Sequence, residues 1–228
     1  SDSFIVNALA FSTNIDSLNK NYSTKINYSA RYKFAMLAKK SGVKRYIFNS
    51  SCSIYGFNKK KVYEKSKINP LSCYAKAVYN AEKKIYKLRS KNFKVNILRN
   101  ATLYGFSNSM RLDLVINVFS YLLLNNKKIT IDGDGKQSRP FLSVNDVSRM
   151  YEYIIKKNSD SFIVNALAFS TNIDSLSKKI VKILNKPKSL IKFNLSNKDH
   201  RNYNVGSKNF SFKRYEKNFK FKKFDNRN

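Results

Sequence analysis

Helical and strand patterns alternate along the first hundred residues, and this alternation restricts the fold more than any other feature of the sequence. The apolar positions of residues 28–41 repeat at helical spacing, end before Gly42 and are followed by the strand pattern VKRYIF. A second helical stripe runs from Tyr74 to Leu88 and leads into the strand pattern VNILR at 95–99. Helices and strands that alternate in this way are typical of a parallel α/β sheet.

Beyond residue 105 the pattern changes to shorter elements. It predicts a helix at 113–125, a strand KITI, a turn DGDGK, a strand PFLSV and a helix from Asn145. The C-terminal stretch is rich in Lys, Asn and Phe without clear periodicity, so we expect it to be partly irregular. The second half of the chain is therefore predicted to form a smaller, mixed α/β lobe.

The sequence also contains an exact internal repeat. The segment SDSFIVNALAFSTNIDSL occurs at 1–18 and again, letter for letter, at 159–176. Structural repeats diverge and occur in arrays, so one identical pair indicates a recent rearrangement or an artefact of sequence assembly rather than a solenoid. A helical stripe continues after the second copy, whereas the polar stretch NKNYSTK follows the first. We expect a firmly folded strand and helix from the second copy and at most an edge strand from the first.

The composition is that of a globular protein with an excess of positive charge. Of the 228 residues 42% are apolar and 14% aromatic, which argues against disorder. The formal net charge of +31 suggests nucleic acid or an anionic surface as a partner. The basic residues are spread along the chain, however, and no nucleic-acid-binding motif accompanies them. Nucleic acid is therefore the less favoured partner.

Cysteine usage and hydropathy indicate a compartment. Cys52 and Cys73 lack metal-ligand spacing and indicate a reducing environment, and His200 stands alone in a polar stretch. No apolar run reaches membrane-spanning length, and the first residues do not have the pattern of a signal peptide. We therefore expect a cytoplasmic protein with no membrane partner and no metal.

The strand pattern YIFNSSCSIYG, at 46–56, ends in small hydroxyl side chains. The carboxyl ends of parallel strands open onto the ligand crevice of an α/β protein, so hydroxyl groups there are placed for chemistry. A plain serine turn explains the same residues equally well. These residues alone leave both interpretations open.

Four stretches together resemble the extended short-chain dehydrogenase/reductases, the NAD-dependent epimerases and dehydratases that act on nucleotide sugars. The family's helix, strand and Ser-rich active-site segment resemble INYSARYKFAMLAKKSGVKRYIFNSSCSIYG, and its catalytic tyrosine helix resembles CYAKAVYNAEKKI. The strand end that lines nicotinamide and sugar is similar to LRNATLYG, and the substrate-domain signature is similar to GDGKQSRPFLSVNDV. Each motif is weak alone, but four in the family's order and spacing are a strong indication.

The resemblance implies an α/β fold with a partial Rossmann-like parallel sheet and a small mixed α/β substrate-binding lobe. We expect a partial NAD-binding domain at 1–105 and the substrate lobe at 106–228, from which 159–184 return to the sheet. The sequence contains no G-x-x-G-x-x-G turn, which in this family precedes the helix that holds the cofactor pyrophosphate. Residues 1–18 then correspond to the family's fourth strand, and the chain resembles a fragment trimmed at both ends.

Matched residue by residue, the resemblance assigns the catalytic hydroxyl to Ser51 and the acid/base to Tyr74. A hydroxyl and a phenol that converge on a sugar alcohol or ketone can polarise its oxygen and relay its proton while hydride moves to or from the nicotinamide.

Forming a phenolate at neutral pH requires a pKa shift of about three units from the ordinary tyrosine value, or roughly 4 kcal/mol. The family draws this shift from the nicotinamide and from a lysine four residues after the tyrosine. Here Val78 takes that position, and Lys76 lies on another side of the helix. An ordinary apolar stripe is therefore the alternative interpretation of this helix.

The same matching implies the other site residues. The expected cofactor is NAD or NADP, bound by Asn49, Ser50, Tyr74, Asn100 and Ala101. The expected nucleotide-sugar contacts are Thr102, Arg111, Asp113 and Arg139. Arg139 corresponds to the family's arginine on the diphosphate, a role that suits the paired donors of a guanidinium. Surface ion pairs or a helix cap are the alternative explanation for these residues. The resemblance is also compatible with a homodimer.

The predicted function is that of an NAD(P)-dependent epimerase/dehydratase-like oxidoreductase or isomerase acting on a nucleotide sugar. The alternative is an inactive fragment or pseudoenzyme that keeps only a nucleotide-sugar-binding surface. Val78 and the absence of a Gly-rich turn favour this alternative for the 228 residues. A basic nucleic-acid-binding protein is a third hypothesis, which would require the lysines to cluster on one face.

Overall fold

The computed structural model describes residues 3–7, 20–156, 160–197, 202–211 and 220–221. The described helices are α1 (Lys20–Thr24), α2 (Arg31–Lys40), α3 (Cys73–Lys87), α4 (Val115–Leu124), α5 (Val144–Lys156) and α6 (Ile173–Ile183). The described strands are β1 (Phe4–Asn7), β2 (Arg45–Ser51), β3 (Asn58–Val62), β4 (Lys94–Asn100), β5 (Thr102–Tyr104), β6 (Ile129–Asp132), β7 (Ser138–Ser143), β8 (Phe162–Ala166), β9 (Phe169–Asn172), β10 (Ile191–Asn194), β11 (Tyr203–Val205), β12 (Phe210–Ser211) and β13 (Lys220–Phe221). A π-helical segment, Lys25–Ala30, joins α1 to α2.

The main sheet has four parallel strands in the order β1, β2, β4, β8. Helices α2 and α3 cover one face, where Tyr46 and Phe48 of β2 are buried, and α5 covers the other, where Ile47 is buried. A strand buried on both faces has a continuous apolar sequence, which explains the pattern VKRYIF. The prediction of a parallel α/β sheet is therefore confirmed.

The first helical region begins earlier than its apolar pattern predicts. Helical backbone starts at Lys20 and runs through the π-helical segment into α2, whereas the predicted helix begins at residue 28. The reason is that the buried face of this region is polar. Ser23 and Asn27 are buried, and the Asn27 amide donates to the Ser23 hydroxyl at 3.1 Å. A search for apolar periodicity misses a helix face of this kind.

Shorter elements form the smaller lobe. Strand β7 pairs in parallel with β5 and antiparallel with β9, and β6 pairs in parallel with β10. Helices α4 and α6 pack beside these strands, and Phe119, Leu123, Phe141 and Leu176 are among the residues of their shared apolar core. This lobe is mixed α/β, as expected. No helix in the described ranges has both the length and the apolar composition needed to cross a membrane.

The C-terminal segment closes over the outer edge of β8. The Asn165 amide donates to the Gly206 carbonyl at 2.8 Å, and the Asn209 amide donates to the Ile163 carbonyl at 3.2 Å. The Glu64 carboxylate accepts from the Lys208 backbone at 3.0 Å and from the Asn165 backbone at 3.1 Å. Side chains thus satisfy polar groups at an edge that would otherwise be open for pairing.

Each copy of the repeat supplies one strand at an opposite end of the main sheet, and the second copy also supplies a strand of the smaller lobe. The second copy forms β8 and β9 and continues into α6, with the Asn172 side chain capping the helix by accepting from the Ser175 backbone at 2.7 Å. In the first copy, residues 4–7 form β1, which pairs with β2 at the other end of the strand order. The expectation for residues 1–2 and 8–18 lies outside the described residues.

We predict that the backbone amides of β8 exchange with deuterium at least about tenfold more slowly than those of β1, because side chains from the C-terminal segment cover the outer edge of β8. Peptides that lie wholly within the repeat have identical masses for the two copies. Mass spectrometry must therefore use peptides that extend beyond residue 18 for the first copy, and upstream of residue 159 or beyond residue 176 for the second. Equal protection of the two copies would contradict this prediction.

Candidate active site

The carboxyl ends of β2 and β4 open into a cavity of about 670 Å³, whose other walls come from α3, α5 and the smaller lobe. A cleft at this end of a parallel sheet is where α/β proteins bind ligands. All the site residues predicted from the sequence line this one cavity: Asn49, Ser50, Ser51, Tyr74, Asn100, Ala101, Thr102, Arg111, Asp113 and Arg139. The register of the sheet sets Ser51 directly beside Asn100 at the cavity floor.

Ser51 ends β2 with its hydroxyl oriented by the turn that follows. Its Oγ atom accepts from the Ser53 backbone at 3.2 Å and from the Ser53 hydroxyl at 2.9 Å. Because both contacts use the oxygen as an acceptor, the Ser51 proton is left to donate elsewhere. The turn requires glycine at its end, since Gly56 has a φ of 63° and a Cβ there would lie 1.9 Å from the Asn69 carbonyl oxygen.

Tyr74 is at the first turn of α3, where its side chain reaches the cavity. The helix starts at this point because the Ser72 hydroxyl caps it, accepting from the Ala75 backbone at 3.1 Å. One turn later Val78 is fully buried in the apolar cluster that also contains Ile47 and Leu98. Val78 therefore belongs to the apolar stripe of this helix, and Tyr74 lies where that stripe meets the cavity.

A polar group around Asn49 joins the main sheet to α5. The Asn49 Oδ1 atom accepts from the Asn100 amide at 3.0 Å and from the Tyr151 hydroxyl at 2.6 Å. Burial raises the pKa of Tyr151, so its phenol keeps the proton that it donates. Sequence reasoning missed Tyr151, because it flanks the core stripe of α5 and belongs to no recognised motif.

Behind the cavity floor lies a buried polar network. Arg99 of β4 donates to Glu82 of α3 at 2.6 Å and to the Tyr55 hydroxyl at 2.7 Å, and its side chain and that of Glu82 are only 5% and 3% exposed. Burial by itself would lower the pKa of Arg99, but attraction to Glu82 and hydrogen bonds to Glu82 and Tyr55 raise it above its ordinary value. The guanidinium therefore stays charged.

Ser50, one of the residues predicted to bind the cofactor, also belongs to this network. The Ser50 hydroxyl donates to Glu82 at 2.5 Å and is buried. Ser50 thus uses its side chain to fix β2 against α3, and its neighbours Asn49 and Ser51 present theirs on the opposite side of the strand. Glu82 and Arg99 were missed by sequence reasoning, although a glutamate within the apolar stripe of a helix is a signal of a buried ion pair.

Two cationic groups stand on the lobe side of the cavity. Arg111 Nε donates to Asp113 at 3.0 Å, and this hydrogen bond lowers the pKa of Asp113, so the carboxylate is ionised at neutral pH. Arg139 is only 6% exposed, and its guanidinium lies 4.8 Å from the centre of the Tyr203 ring. An aromatic face stabilises a cation, and Arg139 Nη1 also donates to the Ser138 carbonyl at 3.0 Å.

Cys52 lines the cavity but is unsuited to nucleophilic chemistry. Its thiol donates to the Arg99 carbonyl at 3.0 Å, and burial raises its pKa, so the reactive thiolate is scarce at neutral pH. In the described ranges no three His, Cys, Asp or Glu side chains come together as a metal site. Among the described residues, the groups near the cavity floor that can transfer a proton include the Ser51 hydroxyl and the Tyr74 and Tyr151 phenols, and the carboxylates of Asp113 and Asp132 also line the cavity.

Comparison with known proteins adds a family match. Residues 3–166 match the model of the NAD dependent epimerase/dehydratase family. An uncharacterized UDP-glucose epimerase of Bacillus subtilis is 32% identical over 122 residues, which cover 53% of this chain and 38% of that protein. The dTDP-D-glucose 4,6-dehydratase of Homo sapiens is 27% identical over 169 residues, which cover 73% of this chain and 48% of that protein. The chain thus spans less than half the length of these relatives.

Solved structures share the architecture. A UDP-glucose 4-epimerase of Thermotoga maritima, solved with UDP-glucose, has a TM-score of 0.77 at 24% identity, covering 90% of this chain and 68% of that chain. A dTDP-glucose 4,6-dehydratase of Streptomyces venezuelae, solved with NAD bound, has a TM-score of 0.74 at 18% identity, covering 90% of this chain and 64% of that chain. At these identities the likeness establishes the fold.

We predict that replacing Arg99 by Met lowers the free energy of unfolding by about 3–5 kcal/mol, because it leaves the Glu82 carboxylate buried without its cation. Denaturant titration measures this loss. The control is Lys94→Met, which removes the more exposed Lys94–Asp160 pair and is expected to cost no more than about 1 kcal/mol. Equal losses for the two variants would show that the buried pair contributes nothing specific.

Proposed function

The chain belongs to the NAD dependent epimerase/dehydratase family, and on that premise we propose that its cavity binds a nucleotide sugar and transfers protons during hydride exchange with a nicotinamide. The observation that carries this proposal is that Ser51, Tyr74 and Arg139, which are far apart in the sequence, line the same cavity. A donor hydroxyl, a phenol and a buried cation are the groups that such a reaction needs.

The diphosphate of the substrate is assigned to the Arg139 side of the cavity. A guanidinium can give two parallel hydrogen bonds to phosphate oxygens, and such charge-assisted bonds are strong where water is largely excluded. Arg139 satisfies this condition because it is nearly buried and lies against the Tyr203 ring. The UDP- and dTDP-sugar names of the relatives support a nucleoside diphosphate sugar as the substrate class.

The reacting sugar carbon is assigned to the floor of the cavity, between Ser51 and Tyr74. The Ser51 Oγ atom already accepts two hydrogen bonds from Ser53. Its own proton is therefore assigned to the oxygen on the reacting sugar carbon. Tyr74 Oη takes the proton when the sugar hydroxyl is oxidised and returns it when the ketone is reduced. Thr102, Arg111 and Asp113 are proposed to contact the sugar.

The floor of the cavity also suits a nicotinamide cofactor. The Tyr151 hydroxyl donates to Asn49, and the Asn100 Oδ1 atom is buried and accepts no hydrogen bond of normal geometry from the described residues. A buried acceptor of this kind costs free energy unless a ligand donor reaches it. We propose that Asn49, Asn100 and Ala101 hold the cofactor, NAD or NADP, which when bound accepts and returns the hydride.

In this proposal residues 1–105 belong to a cofactor domain and 106–228 to a substrate lobe, with 159–184 contributing to the main sheet. A cytoplasmic location and a homodimer are part of the same proposal. The second candidate function is nucleotide-sugar binding without turnover. The observation that favours it is that the buried, apolar Val78 stands at the position where the family's tyrosine helix carries a lysine.

We predict that the chain binds UDP-glucose or dTDP-glucose and that Arg139→Met weakens the Kd by roughly 10- to 100-fold, since a hydrogen-bonded charge is worth about 1.5–3 kcal/mol. Isothermal titration calorimetry gives the affinities. The matched control is Arg149→Met, an arginine on α5 that does not line the cavity. Equal weakening by both variants would mean that general positive charge, rather than Arg139, holds the ligand.

We predict that Tyr74→Phe and Ser51→Ala each lower conversion of the bound sugar nucleotide by roughly 10²- to 10⁴-fold, because proton transfer at the sugar oxygen is lost. Product is quantified by chromatography with NAD in excess. Tyr79→Phe, on the same helix but outside the cavity, serves as the control. A parent chain that binds the sugar nucleotide in the preceding experiment yet converts none would favour the binding-only function.

A further inference from the structure

The cavity reaches from the ends of β2 and β4 to β6 in the smaller lobe, where it is lined by side chains that have no part in the proposed reaction. Thr130 and Asp132 of β6 line this end, as does Gln137 from the turn between β6 and β7. The residues that alternate with them along β6 are buried isoleucines. Thr130 and Asp132 therefore share the side of the strand that is turned away from the lobe core.

The backbone, rather than the side chain, holds Asp132 in place. Its carbonyl accepts from the Gln137 amide at 2.9 Å, and the backbone of the next residue, Gly133, donates to the Asn194 carbonyl at 2.9 Å. Asp132 also stands opposite Asn194 in the parallel pairing of β6 with β10. The position of Asp132 is thus fixed by contacts that do not use its carboxylate.

The carboxylate of Asp132 is only weakly engaged within the protein. Its Oδ1 atom accepts from the Asn194 side chain at the long distance of 3.5 Å, and in the described part of the chain no donor or cation reaches Oδ2. Asp113, which lines the same cavity, differs because its carboxylate pairs with Arg111. Asp132 therefore has acceptor capacity left for a ligand at this end of the cavity.

In the proposed function this end of the cavity receives the nucleoside. The reacting sugar is assigned to the floor at Ser51 and Tyr74 and the diphosphate to Arg139, so the nucleoside lies beyond Arg139. The Gln137 amide joins Asp132 to the chain just before β7, the strand that carries Arg139. Like charges repel, so a carboxylate near a diphosphate weakens binding unless the nucleoside donates a hydrogen bond to it.

We propose that Asp132 determines which nucleoside the cavity accepts, by taking a hydrogen bond from the nucleoside of the sugar nucleotide. The inference rests on the nucleotide-sugar substrate of the proposed function. Uridine offers three such donors, the 2′-hydroxyl, the 3′-hydroxyl and the base N3–H group. A bond from the 2′-hydroxyl would select UDP-sugars over dTDP-sugars, because the deoxyribose of dTDP lacks that group. A bond from either other donor would admit both.

The alternative is that Asp132 only holds β6 beside β10 through Asn194. Loss of a structural carboxylate would change the free energy of unfolding, and loss of its charge would change the affinity for every diphosphate in the same direction. Neither effect depends on which donors the nucleoside carries. The preference of one chain among nucleotides with the same diphosphate therefore separates recognition from both effects.

The experiment is isothermal titration calorimetry of the full chain with UDP, 2′-deoxy-UDP, 3′-deoxy-UDP and N3-methyl-UDP, so that each analogue lacks one donor. We expect the parent to bind UDP roughly 10- to 100-fold more tightly than one of the analogues, the range for a hydrogen bond to a charged group. Asp132→Ala is expected to bind UDP and that analogue with the same Kd. Asp132→Val suits a strand and serves if the Ala variant does not fold, whereas Asp132→Asn keeps an acceptor oxygen and should retain part of the preference.

The matched control is Asp134→Ala, an exposed aspartate on the same turn that does not line the cavity. It is expected to keep the preference of the parent. The inference is overturned if the parent does not bind UDP or binds all four nucleotides equally, if the preference survives in Asp132→Ala or Asp132→Val, or if Asp134→Ala loses it as well. Conversion of a sugar nucleotide without a preference that depends on Asp132 would refute this inference alone. Such a preference in a chain that converts no sugar nucleotide would refute the proposed turnover alone.

Discussion

The buried ion pair between Glu82 and Arg99 is the interaction on which the cavity depends. It joins α3 to β4, and through the Ser50 hydroxyl it also holds the end of β2. Two charges removed from water are stable only if their geometry is good and their remaining donors and acceptors are satisfied. Here Tyr55 and the Glu64 carbonyl accept the other guanidinium protons, so Arg99 fixes several segments around one point.

The alternation of side chains along β2 converts this fixed backbone into a site. Phe48 and Ser50 face α2 and α3, whereas Asn49 and Ser51 face the cavity, because successive residues of a strand point to opposite sides. The same backbone therefore carries two linked polar systems. One orders the Ser51 hydroxyl and the Asn49 amide for a ligand, and the other holds Arg31 against the Asn49 carbonyl from behind.

Charge has different uses in different parts of the molecule. Most lysines in the described ranges are exposed and contribute to the large net charge, which by itself describes solubility and weak attraction to anions rather than a function. Two of the arginines that bear on the proposed site are largely buried, Arg99 behind the cavity floor and Arg139 in the lobe wall, whereas Arg111 is exposed. A buried guanidinium has a large effect on its neighbours because water does not screen it.

The sequence by itself determined the parallel sheet and the predicted site residues that line the cavity. Continuous apolar strands and helical stripes are local patterns that can be read directly from the sequence, whereas the site residues were implied by the resemblance of four motifs to a known family. Only the tertiary structure decided that the Tyr151 hydroxyl meets Asn49, that the Ser50 hydroxyl donates to Glu82, and that Arg31 donates to the Asn49 carbonyl. These pairs lie on different elements, and their contacts arise from the packing of helices on a twisted sheet. No pattern in the sequence records such contacts, because side chains that are distant along the chain become neighbours only after the backbone has folded.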